Sequence, residues 1–283
     1  MAGGKLIICP TPIGNLNDMP PRCLDVLRAA DVVCAEDTRV TGGLLAHFKI
    51  KKPIERLDEA VISSRAEGVV SRVLAGQTIA YCTDAGMPGV SDPGLRLVAA
   101  CRKAQAAVDV LPGPSAASVA YVASGTTATN FYFGGFFPRK AGERQKVLEQ
   151  LRTLDAALIF YESPKRVVSA LEAFANVFPH RTAAVCRELT KLHQEVVRNT
   201  LPNLYAEFSQ REKASGIKGE IVLVIDAPTD AEREVANTKA AQSAQKLAVT
   251  LKATGMNNKG ISKVLQAQFE IPRNEAYGIA LKA

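Results

Sequence analysis

Short apolar runs that alternate with helical patterns are the feature that most limits how this chain can fold. In the first part of the chain these runs are almost uninterrupted, as expected for strands that helices cover on both faces of a sheet. This alternation predicts an α/β domain with a largely parallel sheet. The predicted strands are Lys5–Cys9, Asp31–Ala35, Thr78–Cys82 and Val108–Leu111, and the helices between them are Arg22–Ala30, Ser63–Ala75 and Leu95–Ala104.

A second series of strands and helices begins near Asn130. One of its helices, Pro164–Phe178, has a marked start, because Ser163 can cap it and Pro164 suits the first turn. The composition of Tyr121–Thr129 suits a boundary, so we expect α/β domains at residues 1–123 and 124–228. The remaining predicted elements are strands Asn130–Gly134, Ala156–Tyr161, Thr182–Arg187 and Glu220–Ile225 and helix Gly142–Leu151.

The last part of the chain, residues 229–283, has a different character. Asp226–Glu234 is polar and contains a proline, which predicts a linker. Helical patterns follow at Ala240–Ala253, Ile261–Phe269 and Asn274–Leu281. Two roles stay open for this small basic helical tail: it contacts RNA, or it is a bundle that only covers the second α/β domain.

Composition limits the class of protein. Of the 283 residues, 47% are apolar, which is enough for a substantial core. There is no apolar run of the roughly 18 residues needed to span a membrane, and no signal-peptide pattern, so we expect a soluble cytoplasmic protein without a membrane partner. The net charge of +7 favours a polyanionic partner such as RNA.

The cysteines and histidines predict neither disulfides nor a metal site. None of the six cysteines forms a C-x-x-C pair, and most lie among apolar residues. The three histidines are far apart in the sequence and have no metal-ligand spacing. Buried reduced thiols fit this pattern best.

Nearly every predicted strand ends in glycine, proline, serine or charge. Ligands of open parallel sheets bind at the carboxyl ends of strands. Seven such ends together therefore predict a binding cleft between the two domains. The segments are Pro10–Asn15, Ala35–Arg39, Cys82–Gly94, Leu111–Ala117, Phe136–Lys140, Tyr161–Arg166 and Arg187–Lys191.

Several chemistries fit these segments poorly. The chain lacks the G-x-x-x-x-G-K-[ST] and G-x-G-x-x-G loops of phosphate and dinucleotide sites. Ser115 lies in a loosely elbow-like "GPSAA", but no histidine stands out as its base, and a helix N-cap suits it better. Glu36 and Asp37 are adjacent and point to opposite sides of a strand end, unlike the paired acids of a glycosidase.

Transfer of an already activated group fits better. S-adenosylmethionine carries its own leaving group, so the protein mainly has to align donor and acceptor. Backbone groups of glycine-rich loops can hold such a ligand closely. Apolar side chains at Ile13, Met87 and Val90 could line its adenosine.

The same segments carry a family resemblance. "CPTPIGNLNDM", "AEDTR", "TDAGMPGVSDPG", "LPGPSAA", "FYESPKR", "RELTK" and "KGEIVLVI" occur in this order between Lys5 and Ile225. Together they resemble the ribosomal RNA small-subunit methyltransferase I family, cytidine 2′-O-methyltransferases of the tetrapyrrole methylase superfamily. The tail also resembles the C-terminal helical domain of that family.

The resemblance implies two α/β domains of tetrapyrrole-methylase type with a cleft between them, plus a small C-terminal helical domain. It implies S-adenosylmethionine as cofactor, a homodimer, and small-subunit ribosomal RNA or the 30S subunit as partner. The implied cofactor contacts are Pro12, Ile13, Gly14, Gly86, Met87, Val90, Ser115, Ala116, Tyr161, Gly219, Glu220 and Ile221.

The sequence departs from the family pattern at two positions, where it has Met87 instead of threonine and Lys165 instead of histidine. Met87 offers the same backbone groups to a cofactor. Lys165 adds a positive charge that could alter contact with RNA.

The acceptor hydroxyl implied by the resemblance is a poor nucleophile while protonated, so a base or a nearby cation would help. Asp37 and Asp84 are candidate bases, and Arg39 is a candidate stabiliser of the alkoxide. Each could equally form an ion pair that only holds the cleft in shape. The candidate substrate contacts are Arg139, Lys140, Lys165, Arg166, Arg187 and Lys191.

Two alternative functions stay open at this point. One is a methylase of the same superfamily that acts on a tetrapyrrole or a protein side chain, against which "AEDTR", "FYESPKR" and the basic tail argue. The other is a non-catalytic RNA-binding assembly module, although the RRM and GXXG signatures of such modules are missing.

Overall fold

A computed structural model describes residues 3–92 and 94–283. Met1, Ala2 and Pro93, which belongs to the "SDPG" part of the long loop, lie outside the described residues. The chain divides into two compact units. One comprises the chain up to Leu148 together with Ala156–Asp226, and the other comprises Glu149–Asp155 together with Ala227–Ala283.

The first sheet is parallel, as the apolar runs predicted, and it has five strands, one more than predicted. Their order is β3-β2-β4-β1-β5, so β1 and β4 lie side by side within the sheet. Sequence reasoning missed the edge strand β3 because its three residues, Ile-Glu-Arg, form no apolar run. The strands are β1 (Lys5–Ile8), β2 (Val32–Ala35), β3 (Ile54–Arg56), β4 (Ile79–Cys82) and β5 (Ala107–Val110).

Helices cover both faces of this sheet. Because successive strand residues point to opposite faces, Leu6 and Ile8 belong to one buried cluster, while Ile7 and Cys9 belong to another. The helix at Thr38–His47 was not predicted, because its two central glycines weaken the helical pattern. The helices that cover it are α1 (Pro21–Ala29), α2 (Thr38–His47), α3 (Glu59–Leu74) and α4 (Gly94–Lys103). The next helix, α5 (Ala116–Ala123), packs against the second sheet instead.

The second sheet is mixed, so the parallel arrangement does not extend to it. Its order is β6-β7-β10-β8-β9, and only the β6–β7 pair is parallel. β10 is antiparallel to both β7 and β8, so β6, β7 and β8 share one direction. Their carboxyl ends therefore lie at the same edge as the start of β10. The strands are β6 (Phe131–Phe136), β7 (Ala157–Glu162), β8 (Thr182–Arg187), β9 (Glu195–Thr200) and β10 (Ile221–Ile225).

The helices of this half are α6 (Ala141–Gln150), α7 (Val167–Val177) and α8 (Leu201–Ser215). The predicted start of α7 was wrong: Ser163 and Pro164 form a turn, and the helix begins at Val167 with Arg166 at its N-cap. The buried Glu162 carboxylate explains the turn. It accepts hydrogen bonds from the Ser163 backbone nitrogen (2.7 Å) and from Arg166 Nη2 (2.8 Å).

The second unit contains three helices, α9 (Asp230–Ala253), α10 (Asn258–Phe269) and α11 (Arg273–Lys282). They enclose a small core that includes Ala248 and Leu265. The predicted linker was too long, because α9 begins at Asp230. A capping box that the sequence reading overlooked sets this start: the Glu232 nitrogen donates to Thr229 Oγ1, and the Thr229 nitrogen donates to Glu232 Oε2.

Within the described ranges, no helix is both long and apolar enough to cross a membrane. All six cysteines are buried.

Candidate functional site

A main-chain bridge joins the loops that follow β1 and β4. The Thr11 nitrogen donates to the Gly86 oxygen (3.0 Å), and the Gly86 nitrogen donates to the Thr11 oxygen (3.1 Å). Thr11 Oγ1 also donates to the Thr83 oxygen (3.2 Å). These bonds hold the two loops together at the end of the first sheet.

Gly86 is required at this bridge for two reasons. Its φ of 82° lies in the left-handed region that favours glycine. An added Cβ would also come within 3.2 Å of Ile13 Cγ2 and 3.5 Å of the Pro114 oxygen. The glycine therefore allows Ile13 to pack closely against the bridge.

A cavity of about 440 Å³ opens beside the bridge, a size typical of small-molecule sites. Its lining comes from strand ends of both sheets, the segments for which the sequence analysis predicts a binding cleft. Of the expected cofactor contacts, Pro12 and Gly14 lie outside the lining. The expected residues that do line it are Ile13, Gly86, Met87, Val90, Ser115, Ala116, Tyr161, Gly219, Glu220 and Ile221, together with the candidate base Asp84.

Sequence reasoning did not single out the other lining residues. Most belong to the quoted motifs, so the motif boundaries were a usable signal, whereas Phe136 and Cys186 lie in strands outside those motifs. These further residues are Glu36, Thr83, Ala85, Ser91, Asp92, Phe136, Glu162, Ser163, Pro164, Cys186, Leu189 and Val222.

Thr83 carries a hydroxyl that the described residues leave unsatisfied. The residue is 2% exposed and lines the cavity, and Thr83 Oγ1 has no hydrogen-bond partner among them. A buried polar group without a partner costs about 1–3 kcal/mol. A polar atom of a bound ligand would remove that cost.

Ser115 occupies the N-cap position of α5, as predicted, but its side chain makes no capping hydrogen bond. Burial raises the pKa of the neighbouring Tyr161, and hydrogen bonding from the Ala117 backbone and the Ser115 side chain opposes that rise. Ser115 and Tyr161 both line the cavity, so Ser115 contributes to the cavity wall instead of closing the helix end.

Three carboxylates from the loops of the first sheet, Glu36, Asp84 and Asp92, line one side of the cavity. Burial, followed by the charges of Asp84 and Asp92, raises the pKa of Glu36 above its usual value. Asp84 Oδ1 accepts a hydrogen bond from the Asp37 nitrogen (3.0 Å), which ties the loops after β2 and β4 together. The result is a region of negative potential inside the cavity.

Asp37 and Arg39 lie beside this region but outside the cavity lining. Asp37 is the N-cap of α2 and accepts from the Arg39 nitrogen at 2.8 Å. Arg39 Nη2 contacts the other carboxylate oxygen at 2.6 Å. These contacts hold the pKa of Asp37 well below its usual range, which makes its carboxylate a weak base.

Lys191 links the two walls of the cavity. Its Nζ lies 2.9 Å from Glu188 Oε1 and 3.0 Å from Glu220 Oε2, so two carboxylates compensate its charge. Its aliphatic stem fills the space beside Gly14, where an added Cβ would overlap Lys191 Cγ. Lys191 therefore connects the loop after β1 to the start of β10.

The other candidate substrate contacts differ in whether a carboxylate neutralises the positive charge of the side chain. Arg166 pairs with Glu162, and Arg187 Nε pairs with Glu195 at 3.0 Å. Lys140 has a single exposed contact with Glu143 at 3.4 Å. The last two candidate contacts, Arg139 and Lys165, are exposed. Neither has an ion pair in the part of the chain that the structure describes.

No group of three or more His, Cys, Asp or Glu residues within residues 3–92 and 94–283 could hold a metal ion. The cavity lining offers hydrogen-bonding groups, carboxylates and apolar side chains.

Sequence comparisons show which known proteins this chain is similar to. Residues 5–205 match the family described as Tetrapyrrole (Corrin/Porphyrin) Methylases. A protein of Synechocystis sp. named "Ribosomal RNA small subunit methyltransferase I" is 36% identical over 99% of this chain and 98% of its own length. A Thermotoga maritima protein of the same name is 39% identical over 78% of this chain and 98% of its own length.

Solved structures share the fold at low sequence identity. Diphthine synthase matches with a TM-score of 0.62 and 13% identity over 81% of this chain and 93% of its own. The methyltransferase CobJ matches with a TM-score of 0.59 and 19% identity over 80% of this chain and 100% of its own.

The link through Lys191 can be tested without any ligand. Lys191→Met keeps most of the stem but removes the charge that Glu188 and Glu220 share. Since hydrogen bonds to charged groups contribute about 1.5–3 kcal/mol, we expect amide hydrogen exchange in residues 10–15 and 188–194 to accelerate at least tenfold. The measurement is exchange followed by mass spectrometry.

Lys140→Met is the matched control, because it removes one exposed ion pair on another segment. It should leave exchange in both segments unchanged. Unchanged exchange in Lys191→Met as well would contradict the proposed link.

Proposed function

The chain belongs to the tetrapyrrole methylase family, and we propose that it transfers a methyl group from S-adenosylmethionine to the ribose 2′-hydroxyl of a cytidine in small-subunit ribosomal RNA. The observation that carries the acceptor is the match to relatives with that rRNA name, one of which extends through the helical tail. Exposed cations at Arg139 and Lys165, on the two segments after β6 and β7, also suit a polyanion.

The cavity residues fit S-adenosylmethionine, the methyl donor of this family. Ile13, Val90 and Ile221 offer apolar surface for the adenosine, and the Thr83 hydroxyl offers an unsatisfied polar group. Negative potential from Glu36 and its neighbours suits a sulfonium cation. When bound, the cofactor supplies an activated methyl group.

We propose that Glu36 accepts the single proton of the acceptor hydroxyl and that the neighbouring Asp84 charge raises its basicity. Both line the cavity, and the raised pKa of Glu36 makes it a stronger base than an ordinary glutamate. Asp37 and Arg39, which the sequence suggested as base and stabiliser, pair with each other. Their role in this proposal is to hold the loop that carries Glu36.

The partner and the assembly follow from the family resemblance. We propose a cytoplasmic homodimer that acts on ribosomal RNA or on the 30S subunit. The helical tail supports contact with RNA through exposed cations on all three of its helices. These include Lys246, Lys252, Lys259, Lys263 and Arg273.

The site of methylation tests the proposed function. Unmodified small-subunit rRNA, free or in 30S subunits from a strain that lacks the gene, is incubated with the protein and radiolabelled S-adenosylmethionine. Because a 2′-O-methyl group removes the nucleophile of alkaline cleavage, the labelled position should resist alkali. Label on a base, or label only on added tetrapyrrole or protein, would refute the proposal.

The pH dependence of turnover tests the base. A base must be deprotonated, so kcat should be low below the Glu36 pKa and rise as the pH passes through it, at a higher pH than for an ordinary glutamate. Burial and the charges of Asp84, Asp92 and Asp58 favour the protonated form of Glu36, and a hydrogen bond from the Asp84 backbone opposes them. Glu36→Gln should lower kcat about 100-fold or more.

Asp37→Asn is the matched control for Glu36→Gln, because it alters the adjacent carboxyl group outside the cavity lining. It should lower kcat less than Glu36→Gln does, and neither variant should weaken S-adenosylhomocysteine binding, since that ligand has no positive sulfur. Equal losses of kcat in the two variants would argue against Glu36 as a base.

A further inference from the structure

A β-bulge in β6 moves the side chains at the end of this strand to the opposite face of the sheet. Phe133 pairs with Ile159 and Phe136 pairs with Tyr161, so β6 uses three steps where β7 uses two. One extra residue in a strand moves every later side chain to the opposite face of the sheet. Phe136 therefore shares the face of Tyr161 and not the face of Phe160.

Two glycines make the bulge possible. An added Cβ on Gly134 would overlap the Phe160 ring, and Gly135 has a φ of 66°, in the left-handed region. After the bulge, Phe137 is buried against Phe160, with ring centroids 5.3 Å apart. One short segment thus supplies one phenylalanine to the core and one to the cavity.

Phe136, unlike the buried Phe137, remains 62% exposed although it lines the cavity. Its only aromatic neighbour in the cavity lining is Tyr161, whose ring centroid lies 5.6 Å away at an interplanar angle of 73°. This edge contact fixes the ring but leaves much of its surface open to solvent.

Exposed cations lie on the two segments that follow the ends of β6 and β7. Arg139 and Lys140 follow Phe136 on the same segment, and Lys165 lies in the turn after the neighbouring β7. The two segments are joined, because the Phe137 nitrogen donates to the Tyr161 oxygen (3.1 Å). Arg139 and Lys165 have no ion pair among the described residues, whereas Lys140 has one with Glu143. An exposed aromatic ring on a strand followed by exposed cations suits an unstacked nucleobase and its phosphates.

We propose that Phe136 is the stacking platform for the nucleobase of the RNA segment whose ribose enters the cavity. This inference rests on the proposed RNA acceptor. A ribose reaches a cavity of this kind only if its base leaves the helical stack, and an aromatic ring replaces part of the lost stacking. The bulge orients the Phe136 ring toward the cavity.

The test compares Phe136→Ala, Phe136→Tyr and Phe131→Ala. Phe131 is the matched control, since it is 47% exposed on the same strand but outside the cavity lining. The measurements are kcat and KM for unmodified 30S subunits or free small-subunit rRNA, whichever the wild type methylates, and S-adenosylhomocysteine affinity by calorimetry.

Because stacking on an aromatic ring contributes about 1–3 kcal/mol per base, Phe136→Ala should raise KM for the RNA about tenfold or more. Phe136→Tyr should restore it, and Phe131→Ala should behave as the wild type. The affinity for S-adenosylhomocysteine should be unchanged in all three variants.

Two results would overturn the stacking site. Weaker S-adenosylhomocysteine binding by Phe136→Ala with an unchanged KM would make Phe136 a cofactor contact, and no change in either quantity would give it no role. A wild type that methylates neither RNA would instead refute the proposed function, and the stacking site with it.

Discussion

The bridge between Thr11 and Gly86 is the constraint on which the candidate site depends. β1 and β4 lie side by side in a parallel sheet, so their following loops leave the sheet at the same edge. The two main-chain hydrogen bonds of the bridge then fix those loops against each other. Ile13, Thr83 and Asp84 are all within three residues of the bridge, and all line the cavity.

The second wall of the cavity depends on strand direction. β10 is antiparallel to β7 and β8, so its start lies beside their carboxyl ends. This places Gly219 and Glu220 opposite the loops of the first sheet. Lys191 then joins the two walls through its contacts with Glu220 and Gly14.

Local sequence patterns predicted the elements whose signal is local. Almost uninterrupted apolar runs identified β1, β2, β4 and β5, and the strand-end motifs identified most of the cavity lining. Strand direction in the second sheet is not a local property, because an apolar run such as Ile221–Ile225 looks the same in parallel and antiparallel pairs. The mixed order of that sheet therefore had to come from the structure.

The ion-pair and hydrogen-bond partners of individual side chains could not be predicted from the sequence either. Asp37 and Glu36 are neighbours in one motif, yet Arg39 lowers the pKa of the first and burial raises that of the second. The sequence indicated Lys191 as a contact for RNA, whereas two carboxylates compensate its charge. The bulge that turns Phe136 toward the cavity is visible in the sequence only as a pair of glycines.

We propose that the cavity beside the bridge holds the methyl donor, and calorimetry with S-adenosylhomocysteine tests this most directly. Thr83 and Thr41 both carry buried hydroxyls without a partner among the described residues, but only Thr83 lines the cavity. We predict that the wild type binds the ligand, that Thr83→Val weakens binding about fivefold through the loss of one hydrogen bond, and that Thr41→Val does not. No binding by the wild type, or equal affinities in all three proteins, would contradict the account.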